Sequence, residues 1–221
     1  MPSTLSKQSS GRKSSMKHNS RLNNALVKAV EANDCESVKR LLDKGADVNA
    51  KNDADQTCLV IAAENHADIE IIRLLVNAPE VDVNAKDSRG SALFHAVYNK
   101  DLDTAKVLLQ HGSQLAYYWH GCSELSLATN RGGPFEMVKL LLPYAAKQRS
   151  PAKLIENEFF NVVSDGSADI VRHYLCHDRS LANVYTYSRF EFRNPIHLVM
   201  RNEIAKVLLE FGTDFNARQM L

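Results

Sequence analysis

The chain repeats itself about every 33 residues from Arg21 onward, and this period constrains its fold more than any other feature. An apolar or aromatic residue recurs at one equivalent position, at Leu41, Leu75, Leu108, Leu141, Tyr174 and Leu208. An acid stands five residues before each of them, at Glu36, Glu70, Asp103, Glu136, Asp169 and Glu203. Because two unrelated residue classes share one spacing, the chain is built from repeated structural units.

Each unit is predicted to be a pair of short antiparallel helices. The acid falls at the start of the second helix, where unpaired N–H groups and the positive dipole end favour negative charge. The leucines that follow lie on the buried stripe of that helix. Upstream stands a shorter apolar stretch rich in alanine, as in residues 59–63. A single pair cannot bury its apolar face, so the core must come from stacking on neighbours.

The connecting segments resemble the ankyrin repeat. Residues 45–50 read Gly-Ala-Asp-Val-Asn-Ala, and residues 81–85 and 212–217 keep most of that motif. Asn194-Pro195-Ile196-His197 is similar to the family's Thr-Pro-Leu-His helix start. The resemblance covers about residues 22–217. It implies that the glycine ends the second helix in a left-handed cap before a hairpin turn.

The resemblance implies an all-α ankyrin-repeat solenoid of about six helix-turn-helix repeats with short β-hairpin fingers. The repeats are expected at about residues 22–52, 53–86, 87–119, 120–152, 153–190 and 191–221 of an ankyrin-repeat domain spanning 21–221. Repeat five departs most, since Asp178 replaces the capping glycine and the connection to Asn194 is long. Repeat six has a short inner turn, which is consistent with an atypical terminal repeat.

Residues 1–20 are predicted to form a disordered basic tail. They contain seven serines and four cations, and no acid occurs before Glu31. Such a segment buries too little apolar surface to offset its ordering entropy. A solvated leader is one interpretation, and a targeting or phosphorylation segment is the other.

Composition excludes several classes of function. Lysine plus arginine (27) nearly balances aspartate plus glutamate (26), so we expect neither nucleic acid nor membrane as a partner. No stretch has the roughly 20 apolar residues of a membrane span. Cys35, Cys58, Cys122 and Cys176 lack metal-binding spacing and are expected to be reduced in a cytoplasmic compartment.

Ankyrin solenoids bind partners through hairpin tips and the concave face of the first helices, and the resemblance carries this role to particular positions. The predicted partner-binding residues are Asp53, Asp55, Glu64, Asn65, Ser88, Arg89, Tyr98, Asn99, Tyr117, Tyr118, Trp119, His120, Asn130 and Arg131. The aromatic tip at 117–120 is typical of binding hot spots. The alternative is that some of these rings cover the stack between repeats three and four.

A second candidate binding loop lies in the long connection of repeat five, at Tyr185, Tyr187, Arg189, Phe190, Phe192 and Arg193. Large residues alternate with charged ones, which predicts a half-buried extended segment. Such a segment suits a cover over a degenerate repeat, and aromatic residues with arginine also suit an interface or a platform for single-stranded nucleic acid.

The sequence favours no catalytic site, metal site or cofactor. His173 and His177 have a spacing that can hold zinc on one helix face, but no further ligand cluster accompanies them. Cys122 beside His120 lacks any oxyanion-stabilising device. By resemblance, Asn49, Asn84 and Asn216 occupy a position hydroxylated in many ankyrin repeats. Their other interpretation is that they hold the hairpin turns through side-chain hydrogen bonds.

We therefore predict a monomeric, non-catalytic protein-interaction module that acts as an adaptor, inhibitor or targeting scaffold. One alternative is a bacterial effector that binds host proteins in the host cytosol by the same surface. The other is a metal-dependent enzyme with its chemistry in repeat five.

Overall fold

The computed structural model describes residues 8–116, 123–130, 134–148, 154–165, 167–184, 186–188, 191–199 and 202–214. The chain divides into two compact units, one up to Ser113 and one from Gln114 onward. Both are built from short helices, as the sequence period predicts. No helix in the described ranges is long and apolar enough to cross a membrane.

Unit 1 is a two-layer stack of six helices. They are α1 (Gln8–Glu31), α2 (Cys35–Asp43), α3 (Cys58–Glu64), α4 (Ile69–Val76), α5 (Ala92–Tyr98) and α6 (Leu102–Gln110). The odd-numbered helices pack side by side in one layer, and the even-numbered helices pack side by side in the other. The two helices of each repeat, such as α1 and α2, pack against each other across the layers. The core lies between the layers, where Leu75, Ile71 and Leu108 are completely buried.

Aspartate side chains begin the second helix of each pair. Asp34, Asp68 and Asp101 accept hydrogen bonds from backbone N–H groups of the first turn. The acids marked by the sequence period, such as Glu36 and Glu70, lie in the same turns, where the positive end of the helix dipole stabilises them. The predicted helix starts are confirmed.

The backbone adopts left-handed conformations after the second helices and inside the helix pairs of unit 1. Gly45 and Gly112 follow α2 and α6 with φ of 82° and 89°, as the capping motif predicts. After α4 the same conformation falls on Glu80, with φ of 61°. The turns inside the helix pairs place Asn33, His66 and Lys100 in this region, where a side chain is disfavoured.

Asparagine side chains connect successive repeats of unit 1. Asn49 donates through Nδ2 to the Glu80 carbonyl at 2.7 Å and accepts at Oδ1 from the Asp82 N–H at 2.8 Å. Asn84 donates to the Gly112 carbonyl. These bonds fix the hairpin turns, which is the structural interpretation of the motif. Asn216 lies outside the described residues.

Residues 8–20 correct the prediction of a disordered tail, because they form the first half of α1. The second half packs in the core through Leu26 and Val30. Because the packed second half nucleates the helix, each residue added before it gains one backbone hydrogen bond without a further nucleation cost. Residues 1–7 lie outside the described part.

Unit 2 continues the same scheme with less regular elements. Its helices are α7 (Glu124–Asn130), α8 (Phe135–Lys147), α9 (Leu154–Asp165), α10 (Ala168–His177) and α11 (Asn202–Glu210), with 3₁₀ helices at Arg179–Asn183 and Pro195–Leu198. The first helices α7 and α9 pack together, as do the second helices α8, α10 and α11 in series. The periodic residues Leu141, Tyr174 and Leu208 are fully buried.

The connection in repeat five is a β-hairpin, which confirms the extended backbone expected there. Strand β1 (Thr186–Ser188) pairs antiparallel with β2 (Glu191–Arg193), with Tyr187 opposite Phe192. Just before it, Asn183 donates to the Gly212 carbonyl and accepts from the Asp214 N–H. Repeat five therefore keeps the inter-repeat asparagine although it has lost the capping glycine.

The first helix of repeat six is shorter than the sequence predicts. Asn194 accepts from the Ile196 N–H, as a capping residue does, but only a 3₁₀ segment follows, Pro195–Leu198. The connection before α11 is short, so too few residues remain for this segment to form a longer α-helix.

Candidate functional site

The two hairpin fingers of unit 1 are folded by their own side chains. In the first finger an isolated bridge joins Lys51 and Thr57, and Asn52 Oδ1 accepts from the N–H groups of Ala54 and Gln56 at 3.0 Å. The finger turns at Asp55, whose φ is 60° and whose carboxylate pairs with Lys51 at 2.8 Å. Asp53 and Asp55 are exposed at its tip, as predicted.

Asp87 organises the second finger. Its Oδ1 accepts from the N–H groups of Arg89 and Gly90 at 2.8 and 2.7 Å, and Gln56 from the first finger donates to its Oδ2 at 2.9 Å. Burial alone raises the pKa of this carboxyl, but the hydrogen bonds from Gly90, Gln56, Arg89 and His95 outweigh burial and lower the pKa to about 2. The Asp87 side chain is therefore a buried carboxylate that is ionised at neutral pH and anchors the finger.

Glu64, the last residue of α3, joins the fingers to the first-helix layer. It forms an ion pair with Arg89, and Gln56 Nε2 donates to it. Burial raises the pKa of Glu64, and the bonds to Arg89 and Gln56 lower it further than burial raises it. The ion pair holds Arg89 on the surface, where its side chain remains 56% exposed.

His95 lies beneath this cluster on α5. Its Nε2 is 3.2 and 3.3 Å from the two oxygens of Asp87, and its side chain is only 4% exposed. With the proton on Nε2, the imidazole donates a hydrogen bond to Asp87. This bond fixes the second finger to α5, the helix that carries His95.

Tyr98 completes the surface one helical turn further along α5. Its ring stacks on that of Phe94, with centroids 6.1 Å apart and planes at 21°, and Tyr98 is nevertheless 51% exposed. Next to it, Asn99 donates to the carbonyls of Ala63 and Glu64 at the end of α3. We call Glu64, Arg89 and Tyr98, with the supporting groups Gln56, Asp87 and His95, the Arg89–Tyr98 surface.

This surface contains the three potential metal ligands Glu64, Asp87 and His95, whose ligand atoms lie within 4.8 Å of one another. Arg89 and Gln56 already occupy the oxygens of both carboxylates. A metal ion would therefore have to displace a guanidinium and several hydrogen bonds, so the residues fit an ion-pair network better than a metal centre. In the described part, His173, Cys176 and His177 do not assemble such a group.

The structure places the predicted residues unevenly. Glu64, Arg89, Tyr98 and Asn99 come together on one surface, whereas Ser88 and Asn65 are exposed beside it. Asn130 ends α7, with its side chain outside the described part. The remaining predicted residues of the first site lie outside the described residues, namely Tyr117, Tyr118, Trp119, His120 and Arg131.

The second predicted loop is described in part. Tyr187, Phe192 and Arg193 belong to the β-hairpin, while Tyr185, Arg189 and Phe190 lie outside the described residues. Cys122 and His120 are likewise outside them, and the described cysteines Cys35, Cys58 and Cys176 are free thiols.

Sequence reasoning missed Gln56, Phe94 and His95. Gln56 precedes α3 and looks like an ordinary turn residue, yet it contacts the carboxylates of Glu64 on α3 and of Asp87 in the second finger. The available signal was the spacing of Phe94 and Tyr98, which puts two aromatic rings on one side of a short helix.

Helix pairs joined by hairpin fingers and stacked at a 33-residue period define a helical-repeat protein whose fingers and first helices form its surface sites. A family model for ankyrin repeats (3 copies) matches residues 26–118 and 59–152, which together make up more than half of the chain. The chain belongs to the ankyrin-repeat family. Repeats of this family are generally protein-interaction modules.

Two curated proteins are similar to part of the chain. A "Putative ankyrin repeat protein" of Rickettsia bellii (strain RML369-C) is 38% identical over 85 residues, which cover 38% of this chain and 47% of that protein. "Serine/threonine-protein kinase 12" of Arabidopsis thaliana is 32% identical over 90 residues, covering 40% of this chain and 19% of the kinase. The chain thus spans less than half the length of either relative.

Proposed function

We propose that this chain is a non-catalytic interaction module that binds a partner protein through the Arg89–Tyr98 surface and the adjacent tip at Asp53 and Asp55, as an adaptor, inhibitor or targeting scaffold. The observation that carries the proposal is the exposure of Tyr98. Its ring is 51% exposed although Phe94 holds it in place.

A fixed, exposed aromatic ring is suited to binding because it offers a large contact area and loses little entropy when a partner covers it. Arg89 has the same advantage. Its guanidinium is oriented by Glu64 and Asp87, so few rotamers remain to be frozen on binding. Tyrosine and arginine are among the residues most enriched at interface hot spots.

The proposal of a non-catalytic role rests on how the titratable groups of this surface are used. Asp87 and His95 are hydrogen-bonded to each other. Glu64 forms an ion pair with Arg89 and accepts a hydrogen bond from Gln56. A general base or nucleophile needs an ionisable atom presented to a substrate. Here the ionisable atoms hold the fingers in place instead.

The test starts from partners identified by proximity labelling in the native cell and purified. We expect Tyr98→Ala and Arg89→Ala each to weaken binding of such a partner about tenfold or more, which is typical of a hot spot. Leu209→Ala is the matched control because Leu209 is similarly exposed, at 49%, but lies in unit 2. Unchanged affinity of both variants, with circular dichroism matching wild type, would rule out this surface.

The tip at Tyr117–His120 remains a separate proposal for partner binding. Trp119→Ala and Tyr118→Ala test it against the same partners. Loss of affinity in these variants alone would assign binding to that tip, and loss in both sets would indicate an interface that uses both.

We further propose a cytoplasmic, monomeric protein. The free thiols of Cys35, Cys58 and Cys176 suit a reducing compartment. Cell fractionation and light scattering of the purified chain test the two statements.

A further inference from the structure

A glutamate is buried inside unit 2. Glu158 lies on α9 and is only 1% exposed, in a helix whose other buried side chains are apolar, such as Phe159, Val162 and Val163. Helix α9 packs against α7, α10 and the 3₁₀ segment Pro195–Leu198. Buried carboxyl groups are rare in proteins unless they are paired or fully hydrogen-bonded.

The partners of Glu158 are too few for a carboxylate. Ser123 Oγ, which also caps α7 by accepting from the Ser126 N–H, donates to Oε1 at 3.3 Å, and Asn161 contributes a further hydrogen bond. Oε2 is buried and accepts no hydrogen bond from the described residues. An ionised carboxylate has about four acceptor sites, so much of its charge would remain unsolvated.

The groups that face Glu158 do not compensate for this. On α7 the titratable residue is Glu124, another buried acid, whose Oε2 accepts from the Ala116 N–H at 2.8 Å. On α10, Tyr174 lies beside Glu158; it is fully buried and its hydroxyl has no partner in the described structure.

The cationic residues of α10 are engaged elsewhere: Arg172 pairs with Glu210, and the His173 ring packs edge-on against Phe135, where burial lowers the pKa of its imidazole. His177 is exposed. The 3₁₀ segment carries His197, whose side chain lies outside the described part. Neither Glu124 nor Tyr174 can supply a positive charge.

We propose that Glu158 makes unit 2 proton-sensitive: when its carboxyl is protonated, α9 stays packed on α7 and α10, and when the proton leaves, α9 loosens from them. A protonated Oε2 needs no solvation of charge, whereas the carboxylate gains free energy by reaching water. This device is independent of the Arg89–Tyr98 surface, which lies in unit 1.

The direction and size of the effect follow from the change in acidity. Burial raises the pKa of Glu158, and the hydrogen bonds from Asn161 and Ser123 lower it by less. The net result is a rise from 4.5 to about 7. A raised pKa in the folded state gives stability that is complete below the unfolded pKa and is lost as pH rises through the folded one. Between pH 6 and 8 the ratio of molecules with α9 packed to molecules with α9 loosened should therefore fall about tenfold.

Hydrogen exchange of the full chain, followed by mass spectrometry from pH 6 to 8 and corrected for the intrinsic pH dependence, tests this. We expect protection of α9 to fall about tenfold in wild type. Glu158→Gln, which mimics the protonated shape, should keep its protection constant. Glu156→Gln on the same helix is the matched control and should retain the wild-type loss. The same slope in Glu158→Gln as in wild type would overturn the proposal.

A second measurement does not depend on any variant folding. Carbon-detected NMR of the wild-type glutamate carboxyls gives the titration midpoint of Glu158 directly. A midpoint between about pH 6 and 8 supports the proposal. A midpoint below about pH 5.5 means that the carboxylate is tolerated in place, and the proposal then fails.

Discussion

At the scale of single residues, the fingers of unit 1 depend on buried polar atoms rather than on apolar contacts. Asp87 gathers hydrogen bonds from two backbone N–H groups, one amide and one imidazole. Two of these four donors come from the finger itself, and the other two, from Gln56 and His95, reach it from elsewhere in the sequence. Losing the charge at this point should therefore affect the finger and the helices beneath it together.

Asp87→Asn should lower the free energy of unfolding of unit 1 by about 1–2 kcal/mol at pH 7, because hydrogen bonds to a charged acceptor are the stronger ones. The lowered pKa means that the carboxylate contributes stability above its usual value of 3.8, and that this contribution is lost as pH falls toward about 2. The difference between variant and wild type should shrink accordingly in urea titrations below pH 4. Asp53→Asn, at an exposed carboxyl, is the control and should differ little from wild type at any pH.

Gly90 is required for its small size. A β-carbon at this position would lie 2.5 Å from Cγ of Phe94 and 2.7 Å from its Cβ. Since Phe94 cannot move its own Cβ without moving α5, Gly90→Ala should destabilise unit 1 by about 1–3 kcal/mol and change the near-ultraviolet circular dichroism of Tyr98. Ser88→Ala, on the exposed side of the same finger, should leave both measurements unchanged. Equal stability and equal spectra of the two variants would show that the finger can shift to accommodate a β-carbon at residue 90.

At the scale of secondary-structure elements, helix starts obey local rules and helix ends are less regular. Each second helix in unit 1 begins at an aspartate cap. The left-handed residue that follows the helix is a glycine after α2 and α6, but after α4 it is Glu80, in the turn that leads to the next repeat. A β-carbon in the left-handed conformation costs roughly 1–2 kcal/mol, so the turn after α4 carries avoidable strain.

Glu80→Gly should stabilise unit 1 by about 1 kcal/mol, because glycine adopts this conformation without the steric cost. The carbonyl that Asn49 contacts is part of the backbone and is retained. Lys106→Gly, inside α6 on its exposed side, is the contrasting control and should destabilise by about 1 kcal/mol. Thermal and urea denaturation measure both, and a destabilised Glu80→Gly variant would contradict the interpretation.

At the scale of the whole molecule, the repeats of each unit contact mainly their neighbours, so stability depends on the interfaces between them. In unit 1 that interface includes the Asn49 bonds, and in unit 2 the equivalent bonds of Asn183. An asparagine therefore connects neighbouring repeats both in a regular repeat and in a divergent one.

Asn49→Ala should cost about 1–3 kcal/mol, because it removes two hydrogen bonds and leaves the Glu80 carbonyl and the Asp82 N–H without them. Hydrogen exchange should show the loss of protection in α2 to α4, beside the affected turn. Asn65→Ala, at an exposed asparagine, serves as the control. An effect confined to residue 49 itself would mean that the asparagine does not couple the repeats.

The period and the local motifs predicted most of the fold. Caps, apolar stripes and glycine turns depend on residues within a few positions of one another, and so does the alternation that predicted extended backbone in repeat five. The pairing of its two strands into a β-hairpin was not predicted. Part of the Arg89–Tyr98 surface was predictable for the same reason, since Glu64, Arg89 and Tyr98 fall at fixed places in the repeat. The tail was predicted wrongly at 8–20 because composition alone does not reveal that a packed helix continues into it.

By itself, the sequence determined the helix pairs, their starts and the family. Only the tertiary structure brought Gln56 to Asp87 and Glu64 to Arg89, kept the repeat-five asparagine in its role, and buried Glu158. These pairings join residues from adjacent repeats, and burial of a polar group depends on how neighbouring helices close over it. Neither property is contained in a local pattern, because both arise from stacking.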